Sequence, residues 1–428
     1  MKNKVISNAS WMIGCRVAQG VLALIVSMLT ARYLGPSNFG LINYAASIVA
    51  FVTPFMQLGL TNVIVQEFIQ HPEEEGKILG SSVLMSVISS FFCIIGVVAF
   101  ALIINTGETE TIIVCFLYSL SLVFQAIEIF RYWFQAKYIS QYASISSLIA
   151  FVVMAIYKFY LLASGKNVYW FAISYSVDYI IICGLLYALY KKKNGSKLSF
   201  SKVVSRRLID KGKYYIISNL MVAVFAQTDK IMIKNLMDNS SAGLYSAAVY
   251  CAGLTSFVFT AICDAARPWI FEKKEANDGS YERSVSQLYC VIIYFSLAQS
   301  LFMTLFSKVI IHILYGSMYY KATSALMIVV WYTTFSYLGI VRNIWILAEG
   351  QQKYLWIINV SGALANVILN AFLIPMLGIN GAALASLITQ FFTNVIVGYM
   401  IPDIRKNNYL MVKGLNISLI KSFLPSKE

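Results

Sequence analysis

ILGSSVLMSVISSFFCIIGVVAFALII, residues Ile78–Ile104, runs for 27 residues without a single charge. As an α-helix it would be about 40 Å long, enough to cross the roughly 30 Å hydrocarbon core of a bilayer. Working outward from it, similar runs fill the chain: Ala9–Thr30, Leu41–Leu60, Thr111–Phe134, Ala143–Ala163, Tyr169–Tyr190, Tyr214–Leu236, Gly243–Cys263, Gln287–Leu314, Thr323–Leu347, Leu355–Leu377 and Gly381–Ile401, about twelve in all. They are continuous rather than alternating, which favours helices over the short two-faced strands of an outer-membrane barrel. The expected fold class is therefore all-α and integral to a membrane.

Bulk properties agree. Of 428 residues, 59% are hydrophobic and only 12% charged, with a mean hydropathy of +0.71, too little polar surface to cover a soluble globule. The net charge of +14 is explained by topology. With twelve spans and the N-terminus inside, most Lys and Arg fall on the cytoplasmic side, densest between Lys191 and Lys213, while Arg32, Lys166, Lys234, Lys308 and Lys321 remain outside. That bias places both termini in the cytoplasm. A nucleic-acid partner is not required, and the inner bases suit anionic membrane lipids. The basic start runs into a full-length span, so the first helix reads as a signal anchor rather than a cleaved leader. The seven cysteines lie in or at the ends of spans and suggest neither disulfides nor a metal motif.

The basic, Ser-rich stretch 191–213 divides the chain into a six-helix lobe at 1–190 and another at 214–401, followed by a basic tail at 402–428. The lobes echo each other. Tyr33-Leu34-Gly35-Pro36-Ser37-Asn38-Phe39-Gly40-Leu41, then Tyr44-Ala45-Ala46, returns as Asn235-Leu236-Met237-Asp238-Asn239-Ser240-Ser241-Ala242-Gly243-Leu244, then Tyr245-Ser246-Ala247-Ala248. A repeat with an even number of spans keeps its orientation, so two pseudo-symmetric lobes around a central cavity are expected, an architecture suited to alternating access.

These turns, with Thr228-Asp229-Lys230-Ile231-Met232-Ile233 and Asn366-Val367-Ile368-Leu369-Asn370 leading to Pro375 and Gly378-Ile379-Asn380-Gly381, resemble polysaccharide-biosynthesis flippases of the Wzx type. That family shares a superfamily with the MATE drug exporters and the lipid II flippases. The resemblance covers essentially the whole chain. It implies a MATE-like fold in a bacterial cytoplasmic membrane, and translocation of a polyprenyl-pyrophosphate-linked oligosaccharide, of O-antigen or capsule type, from the inner to the outer leaflet. Polymerase and chain-length proteins of the same pathway are the partners it suggests.

A hydrated anionic head needs cations for its phosphates and amides or hydroxyls for its sugars. Ionisable residues inside spans are costly, about 2.5–3.5 kcal/mol each, and usually face an interior. Arg16 shares a face with Gln19, Ala23, Ser27 and Thr30; Lys230 shares one with Asn219, Ala223, Gln227 and Lys234. Arg342 and Lys158 are further cationic candidates, with snorkelling to the interface as the alternative. Asn43, Tyr44, Gln57, Asn219, Gln227, Tyr179 and Asn366 are candidate sugar-contacting or cavity-wall residues, and interhelical hydrogen bonding is their alternative role. Asp178 is the best-placed carboxylate for H+ or Na+ coupling, unless it forms a fixed pair with Arg131 or Lys158. Asp264 and Arg267, at i, i+3, are expected to pair at an inner gate.

Catalysis is not expected. Two histidines, no nucleophile motif and no phosphate loop leave an ATPase or glycosyltransferase without its parts, and no cofactor or metal is implied. Two alternatives to the flippase are a MATE-like cation-coupled drug exporter, which would want a carboxylate-rich cavity, and a non-transporting scaffold of a glycan-assembly complex.

Overall fold

The computed structural model describes the backbone of residues 2–276 and 279–421, and the side chains of residues 20, 22–61, 63–276 and 279–419. Among these the chain is helical almost throughout and has no strand. Within hydrocarbon every backbone amide and carbonyl must be satisfied internally, and a helix does so within one segment.

The chain forms two compact units, Met1–Gly243 and Leu244–Glu428. The first contains α1 (Lys2–Met56), α2 (Ile64–Gln70), α3 (Glu75–Ile104), α4 (Thr109–Ser119), α5 (Ser121–Ile127), α6 (Phe130–Ala136), α7 (Ser140–Ala163), α8 (Val168–Lys192) and α9 (Lys202–Leu236). The helix α10 (Asn239–Ala252) begins at the boundary. The second unit continues with α11 (Ser256–Ala276), α12 (Tyr281–Leu305), α13 (Ser307–Tyr315), α14 (Ala322–Ala348), α15 (Leu355–Leu377), α16 (Ile379–Phe391), α17 (Val397–Met400), α18 (Arg405–Lys413) and α19 (Ser418–Lys421).

Eleven helical stretches among the described residues are long and apolar enough to cross a membrane, against the twelve expected. The difference lies in α1. At 55 residues it would extend about 80 Å if straight, but Gly35 (φ 70°, ψ 174°) breaks it just before Pro36. The positive φ is available to glycine at little cost. The break separates the runs expected as the first two spans. A second departure is at Leu305, where the expected run Gln287–Leu314 ends as α12 and restarts as the short α13.

Side-chain placement in α3 shows why these helices belong in lipid. Ser82, Ser86 and Ser90, at i, i+4 spacing, are buried, whereas Phe92 and Ile103 are about 70% exposed. Small polar groups face the protein interior and large apolar ones face outward, the reverse of a soluble helix. Unit 1 buries one apolar cluster around Tyr44, Val97, Cys115 and Phe171 and another around Phe68, Phe130, Trp133 and Leu186. Unit 2 has its own, around Phe259, Tyr289, Tyr337 and Trp345.

The stretch read as a linker is partly helical and well attached. Residues 202–213 form the first turns of α9, and their bases meet acids: Arg207 bonds Glu67 at 2.9 Å and Glu74 at 2.6 Å, and Lys211 bonds Glu67 at 2.5 Å. Glu67 is fully buried. Residues 193–201 lie along α3 as a strap. The Ser199 amide donates to the Gly76 carbonyl (3.1 Å), the Ser201 amide to Ser81 Oγ (3.0 Å) and the Tyr190 hydroxyl to the Ser196 carbonyl (2.6 Å). Gly76 and Gly80 leave room for it, since a Cβ there would lie 2.2 Å from the Lys197 oxygen and 2.5 Å from the Ser199 oxygen.

Candidate functional site

Among the described residues, three polar constellations bear on the candidate positions. The first is a cavity of about 180 Å³ in unit 1, lined by Gln57 and Thr61 after α1, Ser86 of α3, Gln125 of α5, and Glu128, Arg131 and Tyr132 at α6. Glu128 and Arg131 form an i, i+3 ion pair. Arg131 also donates to Ser147 Oγ of α7 at 2.9 Å. The cavity thus offers amides, hydroxyls and one bridged charge pair.

The second lies at the far end of α9, about 35 Å along that helix from Lys211. Lys234 is buried. Its ammonium bonds Glu108 Oε2 at 2.7 Å, donates to Asn105 Oδ1 and lies 5.1 Å from the Tyr44 ring centroid. Tyr44, fully buried, donates to Asn235 Oδ1 at 3.1 Å and accepts from Asn105 Nδ2 at 3.0 Å. Thr111 Oγ1 donates to Glu108 Oε2 at 2.7 Å. Glu108 precedes α4, where the helix N-terminus favours negative charge, and its pKa is lowered, first by the Lys234 hydrogen bond and further by that from Thr111.

Beside this network the two repeated turns meet. A Cβ on Gly40 would lie 1.8 Å from the Asn239 oxygen, and one on Gly243 would lie 2.0 Å from the Pro36 oxygen. In the internal repeat Gly40 corresponds to Gly243 and Pro36 to Asn239, so the contact is reciprocal.

The third is in unit 2. Arg342 is 5% exposed; its Nη1 donates to the Thr393 carbonyl at 2.8 Å and its Nη2 to Asn343 Oδ1 at 3.1 Å. Thr393 belongs to a π-helical turn, Phe392–Ile396, whose wider spacing disturbs the regular carbonyl pairing. Arg342 is therefore a buried cation bonded to neutral oxygens rather than a snorkelling side chain. Asn366 and Asn370, both fully buried, join each other at 3.1 Å, and Asn366 reaches Ser386 Oγ of α16 at 3.5 Å.

The remaining candidates separate. The Arg16 side chain lies outside the described residues. Lys230, Asn219 and Gln227 are half-buried on α9. Lys158, half-buried, sits over Tyr175, 4.5 Å from the ring centroid. Asn43 donates to its own helix, at the Phe39 carbonyl (2.8 Å). Tyr179 is half-buried against the Phe130–Leu186 cluster and does not line the cavity. Asp178 forms no ion pair among the described residues, and its Oδ1 is buried without a hydrogen-bond partner; Arg131 is taken by Glu128. Asp264 and Arg267 bond at 3.1 Å, both about half-exposed. Among the described residues no cluster of His, Cys, Asp or Glu has the makings of a metal site.

Sequence reasoning missed Asn105, Glu108, Asn235 and the Glu67–Arg207 clamp. Asn105 and Glu108 sit in a short turn between spans, where no periodicity marks them. The one available signal was that Lys234 shares a helix face with Lys230.

The chain is 21% identical over 395 residues to the capsular polysaccharide biosynthesis protein CapF of Staphylococcus aureus, covering 90% of this chain and 96% of that one. Its fold matches a structure of the lipid II flippase MurJ in an inward closed conformation (TM-score 0.69, 17% identity, 97% of this chain and 93% of that one). It also matches a MATE-family multidrug resistance transporter in an inward-facing conformation (TM-score 0.62, 12% identity, 94% and 96%). The profile of the polysaccharide biosynthesis protein family spans residues 5–274, well over half the sequence. On this fold and this match, the chain belongs to the polysaccharide biosynthesis protein family of membrane proteins.

Proposed function

We propose that the protein flips a polyprenyl-pyrophosphate-linked oligosaccharide from the inner to the outer leaflet of the cytoplasmic membrane by alternating access of its two six-helix lobes, both termini being cytoplasmic. The observation that carries this reading is the polar face of α9. Lys230 and Lys234 lie one turn apart in the largely apolar second part of α9, residues 214–236, with Gln227 and Asn219 on the turns before them. Cations for phosphates beside amides for sugars are what a lipid-linked diphosphate sugar requires, and Arg16 adds a cation in α1 of the same compact unit. The name of the capsular relative and the fold shared with a lipid II flippase support the same class of cargo.

Asp178, with its unpartnered oxygen, supports a coupling role for H+ or Na+. That same feature favours the second reading, a cation-coupled exporter. Against it stand the match to the polysaccharide biosynthesis family and the name of the capsular relative.

The test is depletion of the protein in its native cells, followed by mass spectrometry of polyprenyl-linked glycans with a membrane-impermeant probe of sidedness. Accumulation on the inner leaflet is expected, and the mass identifies the glycan. Unchanged amount and sidedness refute the flippase reading.

A further inference from the structure

We infer that Lys234 is a cargo-phosphate contact held in reserve, its ammonium neutralised by Glu108 in the arrangement described above and handed to the diphosphate of the cargo when the two repeated turns part. This inference rests on the flippase reading and extends it to a named partner exchange.

The argument is an asymmetry within the ion pair. The Lys234 side chain is 5% exposed, that of Glu108 47%. If the pair separates, Glu108 keeps the Thr111 hydroxyl, the N-terminus of α4 and access to water. Among the described residues, Lys234 then keeps the Asn105 amide oxygen and the face of Tyr44. A buried ammonium without an anion is strongly unfavourable, so Lys234 is the member that needs a replacement, and a diphosphate supplies one.

The neighbouring contact is a close approach of backbone to backbone. Gly40 meets Asn239 and Gly243 meets Pro36 through backbone atoms, and Tyr44, four residues after Gly40, bonds Asn235 across the same contact. The Lys234–Glu108 bond ties the end of α9 to the turn before α4, and an arriving anion that competes with Glu108 loosens that tie. Cargo binding and opening become one event, with the charge around Lys234 balanced throughout.

The test uses the purified full-length protein in lipid nanodiscs and three probes with the same tail: a polyprenyl diphosphate, the monophosphate and the free polyprenol. Removing the competitor in Glu108→Gln, which keeps a hydrogen-bond acceptor for Lys234, is expected to tighten diphosphate binding by about threefold or more. Lys234→Gln is expected to weaken it by about tenfold, and Lys234→Arg to stay within about twofold of wild type. Opposite signs at the two positions are what a purely structural pair would not give. Equal losses in Glu108→Gln and Lys234→Gln, or undiminished diphosphate preference in Lys234→Gln, overturn the partner exchange alone. If wild-type protein shows no preference for the diphosphate over the polyprenol, the flippase reading falls and this inference with it. Should Lys234→Gln fail to fold, Glu108→Gln and Lys234→Arg decide, and weaker binding in Glu108→Gln refutes the idea.

Discussion

Adding one methyl group at Gly40 or Gly243 tests the meeting of the repeated turns. The new Cβ would lie 1.8 Å from the Asn239 oxygen in one case and 2.0 Å from the Pro36 oxygen in the other, whereas real Cβ contacts stay beyond 3.0 Å. In both cases the obstructing atom is backbone, so no side chain can swing away and the turns must separate. Overpacking of this kind costs about 1–3 kcal/mol, and the rigid neighbours put these sites at the upper end. At roughly 2–4 °C per kcal/mol for a unit of this size, the melting temperature should fall by roughly 6–12 °C. The two substitutions strain the same contact, so the double variant should lose less than the sum. The assay is thermal unfolding of detergent-solubilised protein followed by fluorescence-detected size exclusion, with Gly96→Ala as control because nothing lies within 4 Å of its Cβ. If Gly40→Ala and Gly243→Ala melt together with Gly96→Ala, the reciprocal packing is wrong.

Other expectations follow from the same reasoning. Glu67→Gln leaves Arg207 and Lys211 without their shared buried carboxylate and should cost about 3 kcal/mol, toward the low end for a broken buried pair because both cations are partly exposed; an unchanged melting curve would count against the clamp. The Glu108 pKa is depressed by Lys234, so the stability that this pair contributes is complete above the unfolded carboxylate value of about 4.3 and lost as pH falls through the lower folded value. Wild type should therefore melt above Glu108→Gln at pH 6, and the gap should shrink as pH falls below the unfolded carboxylate value; a gap that stays constant down to the acid limit of folding would show the pair is not its origin. Asp178→Asn should weaken the dependence of transport on an imposed ion gradient in vesicles, and unchanged coupling would remove Asp178 from that role.

The helices were legible because their signal is bulk transfer energy summed over some twenty residues. The break at Gly35 was foreshadowed by the Gly35-Pro36 pair. Polar partners were far less legible. Lys234 was read as one base among those outside, and only three-dimensional placement shows it bonded to Glu108, 126 residues away in the chain. The basic run near residue 207 was read as a topology signal, which hid its pairing with Glu67 and Glu74. Charge bias reports a sum over loops, whereas an ion pair depends on which two groups meet, and composition carries no record of that. Tyr44 was marked for its position, but its buried hydroxyl is occupied by Asn105 and Asn235 rather than facing an open wall.

The strap at residues 193–201 has a consequence for how this family changes over generations. It is held mainly through main-chain atoms, the Ser199 amide to the Gly76 carbonyl, the Ser201 amide to Ser81 and the Ser196 carbonyl to Tyr190. Main-chain bonding is indifferent to most side chains but strict about register. Drift should therefore rewrite the letters of this segment freely while selection removes insertions and deletions, so that in a deep family its length persists long after its sequence has become unrecognisable.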